Sequence, residues 1–244
     1  MVKGLETFKK YFGEYSEQYV LIGGTACDIS FADNQMKFRA TRDLDMVLVV
    51  EALTKEFGER FWQFIQEGKY ANKVKNSGKA QFYRFDKPMN PDFPSMIELF
   101  SRIDYIPMTE TTLVPIHIDN AVSSLSAILL NDEYYQALLQ GRCVIDGISV
   151  LKPTYLIPFK ARAWIDLREK KMRGVHVDSR DIKKHKNDIL RLSTEMLLEE
   201  CQLPQQVQQD MEKFIGLLEE EPNQLTNNVP VAAVIELLKR IYAE

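Results

Sequence analysis

One eight-residue stretch constrains the fold of this chain more than any other part of its sequence. Residues 43–50 read DLDMVLVV, in which polar and apolar residues first alternate and the run then becomes wholly apolar. An apolar run of this length predicts a strand buried within a sheet. The acids at its start indicate an end that is chemically active, whereas the apolar residues that follow indicate an end that is buried.

Asp43 and Asp45 form a carboxylate pair at the active end of this strand. Residues two apart in a strand point to the same face, so the two side chains are expected about 7 Å apart. Their charges repel and resist desolvation unless a divalent cation is shared between them. Magnesium fits, because it prefers a few carboxylate oxygens together with substrate phosphates. The pair by itself is also compatible with an ordinary solvated strand face.

A second predicted strand ends in a pair of glycines. Residues 19–22 form a short apolar, β-prone run that Gly23 and Gly24 stop, and Thr25 is predicted to cap a helix over 26–32. Glycines let the backbone approach a ligand closely, and free N–H groups at a helix start favour a phosphate. A structural turn is the alternative for the glycines alone. Next to the acidic strand, they predict a phosphate cradle facing a metal site.

Glu98 is a third candidate carboxylate. It lies inside the apolar run 95–100, where a lone charge is costly to bury without a partner. If this strand lies beside 43–50, Glu98 completes a three-carboxylate cluster. It is preferred because strand residues flank it on both sides. Three other acids are alternatives: Asp86, Asp104 and Asp119.

The character of the chain changes after Pro153. The preceding residues predict a mixture of helices and strands, and the following residues predict helices. We therefore expect an α+β fold, with a mixed sheet and flanking helices in residues 1–152 and a C-terminal helical module in residues 153–244. Predicted helices span 5–17, 26–32, 54–67, 154–172, 178–200, 204–220 and 229–243. Predicted strands span 19–22, 43–50, 80–86, 96–100 and 114–118, with a hairpin at 143–150 that turns at Asp146-Gly147.

The charge of the chain is unevenly distributed. The net charge of the 244 residues is -4. Residues 168–191 contain nine Lys or Arg against four Asp or Glu, so this segment carries +5 and the remainder -9. A basic island on an acidic protein favours a phosphate-bearing partner at one place. A solvated helical face explains the same charge equally well.

Cysteine usage and hydropathy indicate the expected compartment. The three cysteines, Cys27, Cys143 and Cys201, are scattered without metal-type spacing and are predicted to be reduced thiols. No apolar run reaches the roughly 18 residues needed to cross a bilayer, and residues 1–10 lack a signal-peptide core. We expect a cytoplasmic protein with no membrane partner.

Three motifs together resemble the signature of nucleotidyltransferases of the DNA polymerase β superfamily. They are Gly23-Gly24-Thr25, the Asp-x-Asp pair and the later acid Glu98. The closer similarity is to the bacterial abortive-infection toxin branch, which favours Gly-Gly-Thr-Ala and an Arg-x-Thr-x-Asp-x-Asp segment like residues 39–45. That branch also carries a helix resembling 151–164 and a Lys-and-Asp motif like 184–188. The resemblance covers about residues 19–192.

Two positions depart from that pattern. The spacer between Thr25 and Asp43 is longer than usual for the superfamily, which predicts an extended helix or loop. His185 stands where the toxin branch often has Asp after its motif lysine.

The resemblance implies an activity and a set of site residues. A nucleoside triphosphate such as ATP would be the substrate, and Mg²⁺ or Mn²⁺ would be held by Asp43, Asp45 and Glu98. An acceptor hydroxyl, on RNA or a small molecule, would receive the nucleoside monophosphate, and an antitoxin is a candidate partner. The residues implied in nucleotide binding are Gly23, Gly24, Thr25, Arg42, Lys160, Lys184 and Asp188.

Three of these residues also have ordinary structural interpretations. Lys160 lies on an otherwise apolar helix face, so its charge should seek a phosphate or a carboxylate, unless the side chain extends to solvent. Lys184 and Asp188 are four residues apart on a helix and could form a surface ion pair.

Two other functions compete with nucleotidyl transfer. A nucleotide-sugar glycosyltransferase would use the Asp-x-Asp pair but gives Gly23-Gly24-Thr25 no role. A non-catalytic nucleotide-binding or interaction module would keep the fold. Retention of all three acids argues against that module, because unpaired carboxylates at one spot would only cost stability.

Overall fold

A computed structural model describes residues 2–72, 81–102, 128–129, 131–220, 225–226 and 229–242. The helices within these residues are α1 (Leu5–Phe12), α2 (Gly23–Asp33), α3 (Lys55–Gly68), α4 (Asp132–Gln140), α5 (Pro153–Met172), α6 (Ser179–Glu195), α7 (Gln205–Glu219) and α8 (Val231–Tyr242). The strands are β1 (Tyr19–Ile22), β2 (Asp43–Leu48), β3 (Ala71–Asn72), β4 (Gln81–Asp86), β5 (Met96–Ser101), β6 (Arg142–Ile145), β7 (Ile148–Leu151), β8 (Leu225–Thr226) and β9 (Val229–Pro230).

The described residues divide into two compact units. The first contains the residues up to 102 together with 142–152, and holds the main sheet with α1 to α3. The second contains α4 and the residues from Pro153 onward. The predicted domain limits, 1–152 and 153–244, stay a prediction.

The main sheet has seven strands in the order β3-β4-β5-β2-β1-β7-β6. The β2–β5 and β1–β7 pairs are parallel and the other pairs are antiparallel, so the sheet is mixed. The parallel pairs join strands that are distant in sequence, whereas β6 and β7 form a hairpin. The predicted α+β fold, a mixed sheet accompanied by helices and followed by a helical module, is confirmed.

An aromatic core covers one face of this sheet. Tyr19 on β1 meets Phe8 and Phe12 of α1, with ring centroids 5.4 and 6.3 Å apart. Phe85 on β4 meets Phe61 of α3 at 5.6 Å. All five side chains are buried, and burial of this much aromatic surface is a major stabilising contribution. Because side chains alternate along a strand, the neighbours of Tyr19 and Phe85 point to the opposite face.

In the helical unit, α5 contains a proline whose position is compensated. Pro158 lies inside the helix and has no N–H to donate to the Thr154 carbonyl one turn earlier. The Tyr242 hydroxyl of α8 donates to that carbonyl instead, at 2.5 Å. Trp164, also on α5, is buried and meets Phe214 of α7 edge-on at 5.2 Å. These contacts hold α5 against the C-terminal helices.

Most of the predicted elements are present, with several different bounds. The hairpin turn is confirmed, since Asp146 and Gly147 have φ of 48° and 78°, the left-handed values a two-residue turn requires. The first helix ends at Phe12 and a short 3-10 turn follows at Gly13–Tyr15. The helix predicted to reach 200 ends at Glu195. Helix α4 was not predicted, and the strand predicted at 114–118 lies outside the described residues.

The predicted cap at Thr25 is wrong. Helix α2 begins two residues earlier, at Gly23, because that glycine turns the chain with a φ of 67°. The Thr25 hydroxyl instead donates to the Asp43 backbone carbonyl, 2.6 Å away. Thr25 therefore ties α2 to β2 rather than closing the helix end.

The described cysteines are all free thiols, as predicted. None of the helices in the described ranges is long and apolar enough to span a membrane.

Candidate functional site

The register of two parallel strands brings the three predicted carboxylates onto one face of the sheet. Asp45 on β2 is the direct partner of Glu98 on β5, and Asp43 is the partner of Met96. Partner residues in neighbouring strands share a face, and so do residues two apart within a strand. Asp43, Asp45 and Glu98 therefore leave the sheet on the face opposite the aromatic core.

The Glu98 carboxylate is buried and held by an arginine. Arg84, its direct partner on β4, donates from Nε and Nη2 to Glu98 Oε1 at 2.9 and 2.5 Å. Burial raises the pKa of Glu98, the nearby Arg84 cation and a hydrogen bond with the Asp45 side chain oppose the rise, and the Asp43 charge adds to it. Burial is the largest of these effects, so Glu98 holds a proton more readily than an exposed glutamate.

The start of α2 adjoins the carboxylates. A Cβ atom at Gly23 would overlap Oδ2 of Asp45, and the positive φ of this residue disfavours a side chain there as well. A Cβ at Gly24 would lie 2.6 Å from the Thr41 hydroxyl oxygen. Gly23 is therefore required by its positive φ and its contact with Asp45, and Gly24 packs closely against Thr41 just before β2.

The remaining predicted residues of this unit lie near the same end of β2. Asp43 and Asp45 are partly exposed, and Arg42 is exposed immediately before the strand. Asp86, one of the alternative acids, is the direct partner of Met96 and so shares the face of Glu98. The other two alternatives, Asp104 and Asp119, lie outside the described residues.

The donor chemistry of this face fits a hard divalent cation, since it supplies three carboxylates and one of them is buried. Within the described ranges, no group of three or more His, Cys, Asp or Glu side chains is placed to hold a metal ion. Arg84 explains part of this, because it binds the Glu98 oxygen that a cation would otherwise attract. The arrangement therefore satisfies its buried charge internally.

Lys160 and Asp188 meet inside the helical unit. Lys160 Nζ on α5 donates to Asp188 Oδ2 on α6 at 2.8 Å, and both side chains are buried. The interpretation of Lys160 as a lysine that extends to solvent is wrong, and so is the surface ion pair of Lys184 with Asp188. Lys184 is exposed. The roles of these three residues in nucleotide binding stay predictions.

Arg84 is the site residue that the sequence analysis missed. A signal was available, because Arg84 is a cation within the predicted strand 80–86, where it is flanked by Tyr83 and Phe85. A charge in that position needs a partner across the sheet. What the sequence does not provide is the register that makes Glu98 that partner.

Comparison with models of known protein families gives no match to this chain, and a search of curated protein sequences gives no significant match either.

Proposed function

We propose that this protein is a metal-dependent nucleotidyltransferase, which transfers a nucleoside monophosphate from a nucleoside triphosphate such as ATP to an acceptor hydroxyl. The observation that supports it most is the register of β2 and β5, which sets Glu98 beside Asp45 and on the face of Asp43. Gly23, at the start of α2, packs directly on the Asp45 carboxylate. A helix start is suited to phosphate oxygens, and the acids beside it are suited to the cation that accompanies a triphosphate.

Each residue of the site has a distinct task in this proposal. Asp43 and Asp45, which are partly exposed, would hold Mg²⁺ or Mn²⁺, and Glu98 would join them on the acceptor side. The bound cation would neutralise phosphate charge and lower the pKa of the attacking hydroxyl. The backbone of Gly24 and Thr25 would bind the β- and γ-phosphates.

The bond changes in the reaction are simple. The acceptor oxygen bonds to the α-phosphorus, the bond to the bridging oxygen breaks, and pyrophosphate leaves. Glu98, on the acceptor side, would take up the hydroxyl proton. Arg84 would keep Glu98 oriented. Positioning and charge neutralisation would supply most of the rate enhancement.

The acceptor we favour is RNA rather than a small molecule. Residues 168–191 contain nine basic residues, which is more than one triphosphate can use. If the toxin-like interpretation is correct, a proteinaceous antitoxin would be a further partner.

A non-catalytic nucleotide-binding module is the second candidate, and one contact favours it. The Arg84–Glu98 ion pair balances the buried acid without a metal. The presence of Glu98 therefore has a structural explanation, which makes it weaker evidence for catalysis than it is in the sequence alone. The two candidates differ in whether a labelled phosphate is transferred.

The test is incubation of the protein with each α-³²P-labelled nucleoside triphosphate, Mg²⁺ or Mn²⁺, and separate pools of RNA, protein and metabolites. We expect the label to appear in the RNA pool. Asp43→Asn and Asp45→Asn should reduce transfer by more than about a hundredfold, because loss of a metal ligand removes several kcal/mol of charge stabilisation.

Glu59→Gln is a matched control. It removes a carboxylate that pairs with Lys55 on the exposed side of α3, and it should leave transfer unchanged. Absence of label from every pool, with each of the four nucleotides and both metals, would favour the non-catalytic module.

A further inference from the structure

A cavity of about 710 Å³ lies between α5 and α6, wholly within the helical unit. Its volume is in the range of small-ligand sites. Four of its lining residues are cations, Arg168 and Lys171 on α5 and Lys183 and Lys186 on α6. The other lining residues are Trp164, Met172, Ile182 and Asn187. No lining residue carries a carboxylate, and we call this cavity the α5–α6 cleft.

Four acids on or beside the two helices form ion pairs with cations that do not line the cleft. The pairs are Asp166 with Lys170, Glu169 with Lys213, Asp178 with Arg180, and Asp188 with Lys160, at 2.5 to 2.9 Å. With four cations and no carboxylate among its lining residues, the cleft presents an excess of positive charge from both walls, which suits an anionic ligand.

One of the four cations is held in place by an aromatic ring. The Arg168 guanidinium lies over the Trp164 ring, 4.3 Å from its centroid, and Trp164 is itself fixed by Phe214. A stacked guanidinium loses little freedom when it binds an oxyanion. Since Arg168 covers the ring and Trp164 is buried, the ring is not a platform for bases. The cleft is therefore equipped to contact phosphates rather than bases.

We propose that the α5–α6 cleft binds the phosphate backbone of single-stranded RNA. The cleft cations are paired three residues apart on each helix, which spaces them about 4.5 Å along each wall. Exposed basic residues continue beyond it, at Arg173 and Lys184. This row of cations is longer than a single triphosphate can use, and it suits the repeated phosphates of a single-stranded nucleic acid.

The rest of the chain and one lining side chain sharpen this assignment. The remainder of the protein carries a net charge of -9, so on average it attracts a polyanion less than the basic segment does. Asn187 supplies an amide that can hydrogen-bond a ribose hydroxyl, and this favours RNA over DNA. The inference rests on the proposed function in that it gives the RNA acceptor a binding site, but binding can be measured without transfer.

The test is fluorescence anisotropy of labelled 20-nucleotide oligo(U) and oligo(A) over a salt series, with the full-length protein and Lys183→Gln/Lys186→Gln. Each lost contact with a single strand lowers the slope of log affinity against log salt by about 0.7, so the double variant should lose about 1.4. Oligo(U) and oligo(A) should bind within about threefold of each other, because the contacts are to the backbone.

The matched control is Lys55→Gln/Lys239→Gln, which also removes two charges from exposed lysines in surface ion pairs. It should keep the wild-type slope, and equal melting temperatures would show that both double variants fold. An unchanged slope in Lys183→Gln/Lys186→Gln, an equal loss in the control, or no RNA binding by the wild type would overturn the proposal. Equal affinity for DNA of the same length would overturn the assignment to RNA.

Two further measurements distinguish RNA binding by the cleft from mononucleotide binding there and from nucleotidyl transfer. Loss of ATP binding in Lys183→Gln/Lys186→Gln, with ATP competing against the oligonucleotides at equal phosphate concentration, would make the cleft a mononucleotide site and overturn the proposal. Asp43→Asn should bind RNA like the wild type whether or not transfer is catalysed. Failure of nucleotidyl transfer therefore leaves the RNA result unaffected, and the two failures are distinguishable.

Discussion

The carboxylate face of the sheet and the α5–α6 cleft are both charged, but they balance their charge in different ways. On the sheet, the buried Glu98 is compensated by direct contacts with Arg84 and Asp45. In the cleft, Lys171 and Lys183 are exposed, so their charges are accessible to solvent. A buried charge needs a partner at contact distance, whereas a solvated charge acts on ligands through a screened long-range field.

This difference indicates which region should respond to which change. Contacts on the sheet are short and local, so neutralising one group there should alter metal binding and pH dependence. The cleft acts through the sum of its charges, so its effect should depend on salt. Lys160 and Asp188 are an informative third case, because they form a buried ion pair between the same two helices, α5 and α6.

The largest stability effect is expected from breaking that buried pair. Asp188→Asn should lower the free energy of unfolding by about 3–5 kcal/mol, because it leaves the Lys160 ammonium buried without its counter-charge. Asp43→Asn should leave the free energy unchanged or raise it, because it removes one of two repelling charges at a partly exposed position. The measurement is urea unfolding at neutral pH.

The two tryptophans allow each unit to be followed separately. Trp62 lies on α3 of the first unit and Trp164 on α5 of the second, so a Trp62→Phe background reports on the helical unit alone. The double variant Lys160→Met/Asp188→Leu should lose less stability than Asp188→Asn, because no buried charge remains. A greater loss in Asp43→Asn than in Asp188→Asn would show that the carboxylate face is structural and would reverse the comparison.

A smaller effect is expected from ligand binding at the carboxylate face. Mg²⁺ with a nucleoside triphosphate should raise the melting temperature, whereas either alone should do so much less, because magnesium relies on substrate phosphates to complete its shell. At a ligand concentration of 100 times the dissociation constant, the stabilisation would be about 2.7 kcal/mol. Differential scanning fluorimetry measures the shift.

Lys183→Gln/Lys186→Gln is the matched variant in the other region, and it should keep the shift. Asp45→Asn should lose it. A wild-type melting temperature that is independent of both ligands would favour the non-catalytic module. An undiminished shift in Asp45→Asn would place the bound cation somewhere else.

Features set by nearby residues were predictable from the sequence. The Asp146-Gly147 turn was predicted because two successive left-handed residues are a local requirement that those two types meet. Strand β1 was predicted from its apolar run and the glycines that follow. The same local reasoning misplaced the start of α2, because Gly23 can begin a helix at positive φ and the Thr25 hydroxyl has a partner in β2.

Features set by strand register were predictable only in part. The predicted carboxylate cluster depends on adjacency of β2 and β5, and the structure has these strands paired. The contact of Arg84 depends in addition on how β4 aligns with Glu98, which is not encoded locally. The acids of β2 are recognisable by their spacing, whereas an ion pair between two neighbouring strands leaves no pattern in one sequence.

The smallest expected effect, and the most specific to the carboxylate face, is the pH dependence that Glu98 contributes. Burial raises the pKa of this carboxyl group in the folded protein. Above the unfolded pKa the folded state therefore holds more protons than the unfolded state, and stability falls as pH rises through the folded pKa. In Glu98→Gln this contribution is absent, so the free energy of unfolding of the variant should rise relative to that of the wild type between pH 5 and pH 8.

Loss of the Arg84 ion pair lowers the stability of the variant at both pH values, but it does not remove the expected change between them. Urea unfolding of both proteins in a Trp164→Phe background, followed by Trp62, measures it. A relative stability that falls with rising pH would mean that Arg84, rather than burial, dominates the titration of Glu98.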